Sequence, residues 1–215
     1  MYTNSNRHKL ELSSWLLKNQ SEEFSSSLKL QKFIFFYEAF TKLENQEADF
    51  GYLRAYINGP VFSDVFGDYT YRKEFLTSSI SEINSYESLN LDRAKMAGFI
   101  VKILNEEELS KLTHEFNIWK VQEPLIGRIS NISMREEDFS LEDFQLLKSL
   151  QEMYPVEMYD EVEVLPIGDK NFVISKEDIE KLSEEQRNVF INLAEQDLHN
   201  PVFVTMSEDG VLLID

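Results

Sequence analysis

The chain has 215 residues, 39 acidic side chains against 21 basic ones, and a formal net charge of -18. A surface this acidic repels phosphate backbones and anionic bilayers, which excludes broad nucleic-acid binding and makes attraction to a basic protein, or mimicry of nucleic acid, more plausible, beside the plain reading that the charge serves solubility. No cysteine is present, so disulfides, thiolate metal sites and cysteine nucleophiles are excluded too.

A hydrophobic fraction of 42% is enough for a core, and the length fits one domain with at most a small appendage. The stretch Met1 to Asn6 lacks the apolar centre of a signal peptide, and no apolar run nears the roughly 18 residues of a membrane span. The expected location is the cytoplasm. The charge is uneven: residues 1–60 carry seven acidic and seven basic side chains, residues 61–154 seventeen and ten, residues 155–215 fifteen and four. This predicts a core region over 1–154 and, beyond Pro155, an acidic extension over 155–215.

In chain order, residues 7–19 are expected to be helical and residues 21–27 turn-like. Over 28–43, Leu30, Phe33, Ile34, Tyr37 and Phe40 keep close to helical spacing. Phe35 and Phe36 carry the apolar surface round most of the cylinder, which predicts a central helix. Lys29, Gln31 and Lys32 are expected on its polar edge. Residues 48–57 are aromatic and partly alternating, so an extended stretch is expected, and Asn58-Gly59-Pro60 then punctuates the chain. Residues 61–69 read as a short helix and 76–91 as a loop with a helical turn. Residues 92–104 form a helix with Ala97, Ile100, Val101 and Leu104 on one face. Asn105 caps the next helix, Glu106, Glu107 and Glu108 suit its positive end, and Leu109, Leu112, Thr113 and Phe116 repeat the spacing. Ser140 opens a helix to about Met153.

In the extension, 161–167 and 171–174 read as strands, and Ser175 and Ser183 begin capping-box patterns. Val189, Phe190 and Leu193 give the second helix an apolar face. Residues 202–206 and 211–214 form a hairpin around Ser207-Glu208-Asp209-Gly210. The expected fold is α+β: a predominantly α-helical core with a short extended segment, plus a small β-containing C-terminal extension packed on or near the core.

Enzymatic signatures are missing. The seven glycines match no phosphate-loop spacing. His8, His114 and His199 are far apart and lack an HExxH spacing, and there is no Gly-x-Ser-x-Gly elbow. The runs Glu106–Glu108 and Glu136–Asp138 suit helix N-termini and lack the alternating ligands of a calcium loop. No catalytic residue, metal or cofactor is expected. What stands out is Asn58-Gly59-Pro60-Val61, a tight turn after the aromatic stretch, and Leu112-Thr113-His114 followed by Trp119.

Three segments in order resemble the SocA-like antitoxin family, the Panacea domain. They are Leu28-Lys29-Leu30-Gln31-Lys32-Phe33-Ile34-Phe35-Phe36-Tyr37, then Ala55-Tyr56-Ile57-Asn58-Gly59-Pro60-Val61, then Leu112-Thr113-His114-Glu115 with Trp119. The resemblance covers residues 7–125. Phe33 and Phe35 replace aliphatic residues, Tyr56 stands where tryptophan is common, Pro124 follows an altered ending, and residues 155–215 have no counterpart. No helix-turn-helix precedes the segments, so direct DNA binding is not expected.

The resemblance implies a binding protein rather than an enzyme: an antitoxin that neutralises a partner toxin by direct contact, by occlusion or by delivery to a host protease. Partner-binding candidates are Lys29, Gln31, Lys32, Tyr37, Tyr52, Tyr56 and Trp119, since interfaces use aromatic anchors. Asn58, Gly59, Pro60, Thr113 and His114 are expected to be structural, with His114 bonding the turn near Gly59-Pro60. The charge supports a second reading, a phage counter-defence protein whose acidic surface mimics nucleic acid and inhibits a basic host protein.

Overall fold

A computed structural model of the chain describes residues 3–207 and 209–214. Met1, Tyr2, Glu208 and Asp215 lie outside the described residues, so Glu208 of the expected last hairpin turn is not placed. The fold is α+β and dominated by helices.

Helix α1 (Arg7–Asn19) starts at Asn6, whose side chain accepts the Lys9 N–H at 2.9 Å. The serine-rich stretch expected to be a turn is a short helix, α2 (Ser21–Ser25). It forms because Phe24 is buried edge-on to Tyr69, whose hydroxyl donates to the carbonyls of Phe24 and Ser25. Helix α3 (Ser27–Leu43) is the axis of the fold, and every residue from Leu30 to Thr41 is buried.

Strands β1 (Leu53–Tyr56) and β2 (Gly59–Phe62) form a hairpin around Ile57 and Asn58, with Tyr56 opposite Gly59 and Leu53 opposite Phe62. Pro60 argues against a strand in the sequence, yet β2 is an edge strand, where a missing N–H is tolerated. Helices α4 (Ser63–Tyr71) and α5 (Lys73–Ser81) follow. The loop expected from residue 76 is thus helical at its start. Leu76 and Ile80 are its only fully buried anchors, too few to give a periodic signal amid serine and threonine.

Helix α6 (Leu91–Ile103) packs along α3. Helix α7 (Glu106–His114) begins with a complete capping box between Asn105 and Glu108. Helix α8 (Asn117–Lys120) is a single turn, β3 (Ile132–Ser133) pairs with β1, and α9 (Leu141–Met153) closes the region. Buried Asp143 serves two helices at once. It accepts the Ser140 N–H at 3.1 Å in a capping box, and it also accepts the N–H groups of Asn117 and Ile118 at the start of α8. Asp143→Ala leaves three buried or half-buried donors without an acceptor and should lower unfolding free energy by about 2–3 kcal/mol in urea denaturation. A shift within experimental error contradicts this role.

The acidic extension is folded. After α10 (Met158–Glu161), strands β4 (Val162–Ile167) and β5 (Lys170–Ser175) form a hairpin. Helices α11 (Lys176–Lys181) and α12 (Glu184–Ala194) cross over to β6 (Val202–Met206), which runs parallel to β5, and β7 (Leu212–Ile214) pairs antiparallel with β6. Phe172, Ile174, Val202 and Val204 pack with Phe190 and Leu193 of α12. Val164, Val173 and Phe203, in register across three strands, join the main core instead. Asn171 and Asn200 both donate to the Ile103 carbonyl, at 2.9 and 3.0 Å, which satisfies the end of α6. The capping box at Ser183 is complete. At Ser175 only one arm forms, because the Asp178 carboxylate accepts from the Met206 N–H instead of turning back.

Candidate binding site

The three segments singled out in the sequence lie far apart in the chain and meet in one place. Two neighbouring side chains of α3 cover the free edge of β2. Gln31 Oε1 accepts the Phe62 N–H at 2.7 Å, and Lys32 Nζ donates to the carbonyls of Asn58 and Pro60. Helix side chains here do what another strand would do, and they protect an edge that would otherwise recruit one. This corrects the expectation that Gln31 and Lys32 form a polar surface edge: both are buried, at 2% and 1% exposure. A helix buried on nearly all sides has little polar edge to offer, and the Gln31 oxygen and the Lys32 amine satisfy buried backbone groups instead.

Gly59 makes the close approach possible. Its φ of +96° lies in the region that favours glycine, and a Cβ there would overlap Lys32 Nζ and Thr113 Oγ1. Thr113 is buried in α7 and donates back to the Leu109 carbonyl at 2.9 Å. His114 stacks on Trp119 with ring centroids 3.8 Å apart, and Trp119 Nε1 donates to the Tyr56 carbonyl at 2.9 Å. Trp119 is only 5% exposed, so it acts from inside, holding the hairpin, and not as a surface anchor. Burial and the Lys32 ammonium hold the His114 pKa below the ordinary histidine value, and the Ile57 carbonyl opposes them.

Burial lowers the Lys32 pKa from 10.5 to about 7. Between those values the unfolded chain binds a proton that the folded chain does not, so this group's contribution to stability rises with pH above about 7. The slope approaches about 1.4 kcal/mol per pH unit. In urea titrations the stability of the wild type relative to Lys32→Met should rise from neutral to alkaline pH. A difference that is flat or falls with pH contradicts the burial argument.

Outside this cluster a cleft of about 450 Å³ opens between the start of α3 and the hairpin. Gln31 and Lys32 line it together with apolar side chains that include Leu28, Val61 and Phe66. Tyr56 and Ile57, 40% and 73% exposed, also line it. Tyr52 is also exposed, with a positive φ of 65°, so the hairpin displays two of the predicted aromatic candidates. Leu28 and Ile57 belong to the family-like segments but not to the partner-binding candidates, and Phe66 belongs to neither. An apolar residue in the first turn of a helix or in a hairpin turn carries no sequence sign of whether it faces a cleft or the core.

The remaining candidates lie elsewhere. Tyr37 is buried, its hydroxyl accepts the Asn90 N–H at 2.9 Å, and the Arg93 guanidinium sits over its ring, so it is a core residue and not an interface anchor. Lys29 is half-buried beside Glu23. Farther along α3, His8 joins Ser88 at 2.8 Å and Glu38 at 2.7 Å, a serine–histidine–carboxylate set that no sequence spacing announces. Glu11 takes both the Ser88 hydroxyl proton and its N–H, at 2.8 and 3.0 Å. That hydroxyl is a committed donor, and the set ties the 88–90 turn to α1 and α3.

No family model, curated protein or solved structure matches the chain. Among the described residues no helix is long and apolar enough to cross a membrane, and no group of three or more acidic or histidine side chains could hold a metal ion.

Proposed function

We propose that this chain is an antitoxin-like protein that neutralises a partner toxin by direct protein–protein contact. The observation that carries this reading is the convergence of the three family-like segments on a single hairpin. That hairpin is fixed from within by Lys32, Thr113 and Trp119 and shows Tyr52, Tyr56 and Ile57 to solvent. A rigid turn displaying large side chains loses little entropy on binding. The chemistry asked of the site is recognition, not bond-breaking. Co-expression with the product of the neighbouring gene tests it: a product toxic alone and harmless beside this chain is expected, and a product harmless alone, or toxic in both cases, overturns it.

The second reading, an acidic mimic of nucleic acid in phage counter-defence, has one observation in its favour. The described carboxylates beyond Pro155 are all exposed apart from half-buried Asp178. Mimicry predicts salt-sensitive competition with DNA for a basic host protein. Charge-neutralising substitutions in α11 and α12 are the suitable variants. Truncation is not, because the extension shares its Val164, Val173 and Phe203 face with the main core.

A further inference from the structure

We propose that the cleft beside the hairpin receives a carboxylate from the partner: an acidic side chain, flanked by apolar residues, carried on an extended peptide segment. The proposal deepens the toxin-binding reading and rests on it. Its first support is Gln31. The Phe62 N–H fixes which end of this amide is oxygen, so the other end is an NH₂ donor, and Nε2 is buried with no hydrogen-bond partner among the described residues. A buried donor left unsatisfied is unfavourable, and an incoming acceptor relieves it.

The second support is the electrostatics of the same wall. Lys32 carries a buried amine that donates to two backbone carbonyls, those of Asn58 and Pro60. Ser26, Ser27 and Leu28, which open the 17-residue helix α3, line the cleft as well, and free N–H groups at a helix start favour an anion. One carboxylate of this chain is already drawn to that end. Glu106 Oε1 accepts the Ser26 hydroxyl proton at 2.5 Å, at the rim, while Gln31 Nε2 stays unsatisfied. The third support is the mixed lining: Leu28, Val61, Phe66, Tyr56 and Ile57 share the cleft with Gln31 and Lys32. An acidic residue with apolar neighbours offers both kinds of contact that this lining calls for.

The test titrates the full chain with the tripeptide amide acetyl-Leu-Glu-Leu and with its glutamine counterpart, following side-chain amide resonances by NMR. Saturable binding of the glutamate peptide that moves the Gln31 amide, with the glutamine peptide weaker by about tenfold or more, is expected. Glu106→Gln should tighten binding by removing the competing carboxylate. Ile57→Glu should weaken it, and both sites are exposed enough to leave the fold intact. Equal affinity for the two peptides, no saturable shift at millimolar peptide, or equally tight binding of free N-acetylleucine would each overturn the proposal. The titration needs no toxin. Lost neutralisation with a positive titration sinks the toxin reading alone, and a failed titration with intact neutralisation sinks the cleft alone.

Discussion

Gly59→Val should lower unfolding free energy by about 3–5 kcal/mol, measured by urea or thermal denaturation. Two effects add. The backbone at φ +96° disfavours any β-branched residue, and the new side chain falls where Lys32 Nζ and Thr113 Oγ1 already sit. Moving Lys32 away strips the donor from the Asn58 and Pro60 carbonyls, so the penalty extends beyond overlap to buried acceptors left unpaired. Gly59→Ala should fall in the same direction with a smaller loss. A valine variant as stable as the wild type would mean that the hairpin can relax away from α3 and that the turn is not rigid.

Trp119→Ala should be of similar size, about 3–5 kcal/mol, because it removes a large buried ring and leaves a cavity. It also frees the Tyr56 carbonyl and the stacked face of His114. Trp119→Phe should recover much of the packing while losing the Nε1 donor. Tyr52→Ala, at a position 61% exposed, should change stability by less than about 0.5 kcal/mol. Calorimetry of the three variants separates a tryptophan that holds the hairpin from one that waits at the surface. A stable Trp119→Ala protein that has lost its partner would reverse the assignment.

The contrast between these two aromatics shows what was legible in the sequence. The helices that combine apolar spacing with a capping side chain, at Asn105, Ser140 and Ser183, lie close to where the pattern puts them. Both signals are local, and the backbone obeys them locally. The short segments are less legible. Residues 21–25 and 73–81 are helical because Phe24, Leu76 and Ile80 find distant partners, which no window of the chain contains.

The candidate site was legible as segments and not as geometry. Charge and amide groups usually face water, which by sequence alone puts Gln31 and Lys32 on a polar edge. The stronger fact was the apolar run on every other side of the helix, which buries whatever lies within it. Their partners are 26 to 31 residues away and are backbone groups, which have no sequence signature. Only residue type marks Tyr37 and Trp119 as anchors in the sequence, and residue type cannot divide large aromatics between core and interface. The Ser88–His8 contact spans 80 residues and follows from packing alone. The charge count, by contrast, carried over in part. The acidic extension is a folded layer, with its apolar faces spent on α12 and on the main core and its carboxylates turned outward.

A protein partner bound at the hairpin and its cleft, as proposed, would meet any charge placed at Ile57. Isothermal titration of the purified neighbouring gene product into the wild-type chain and into Ile57→Glu tests this most directly. Saturable binding to the wild type is expected, with a loss of about a hundredfold or more for the variant at unchanged thermal stability. Absence of binding to the wild type, or equal affinity for both chains, would contradict it.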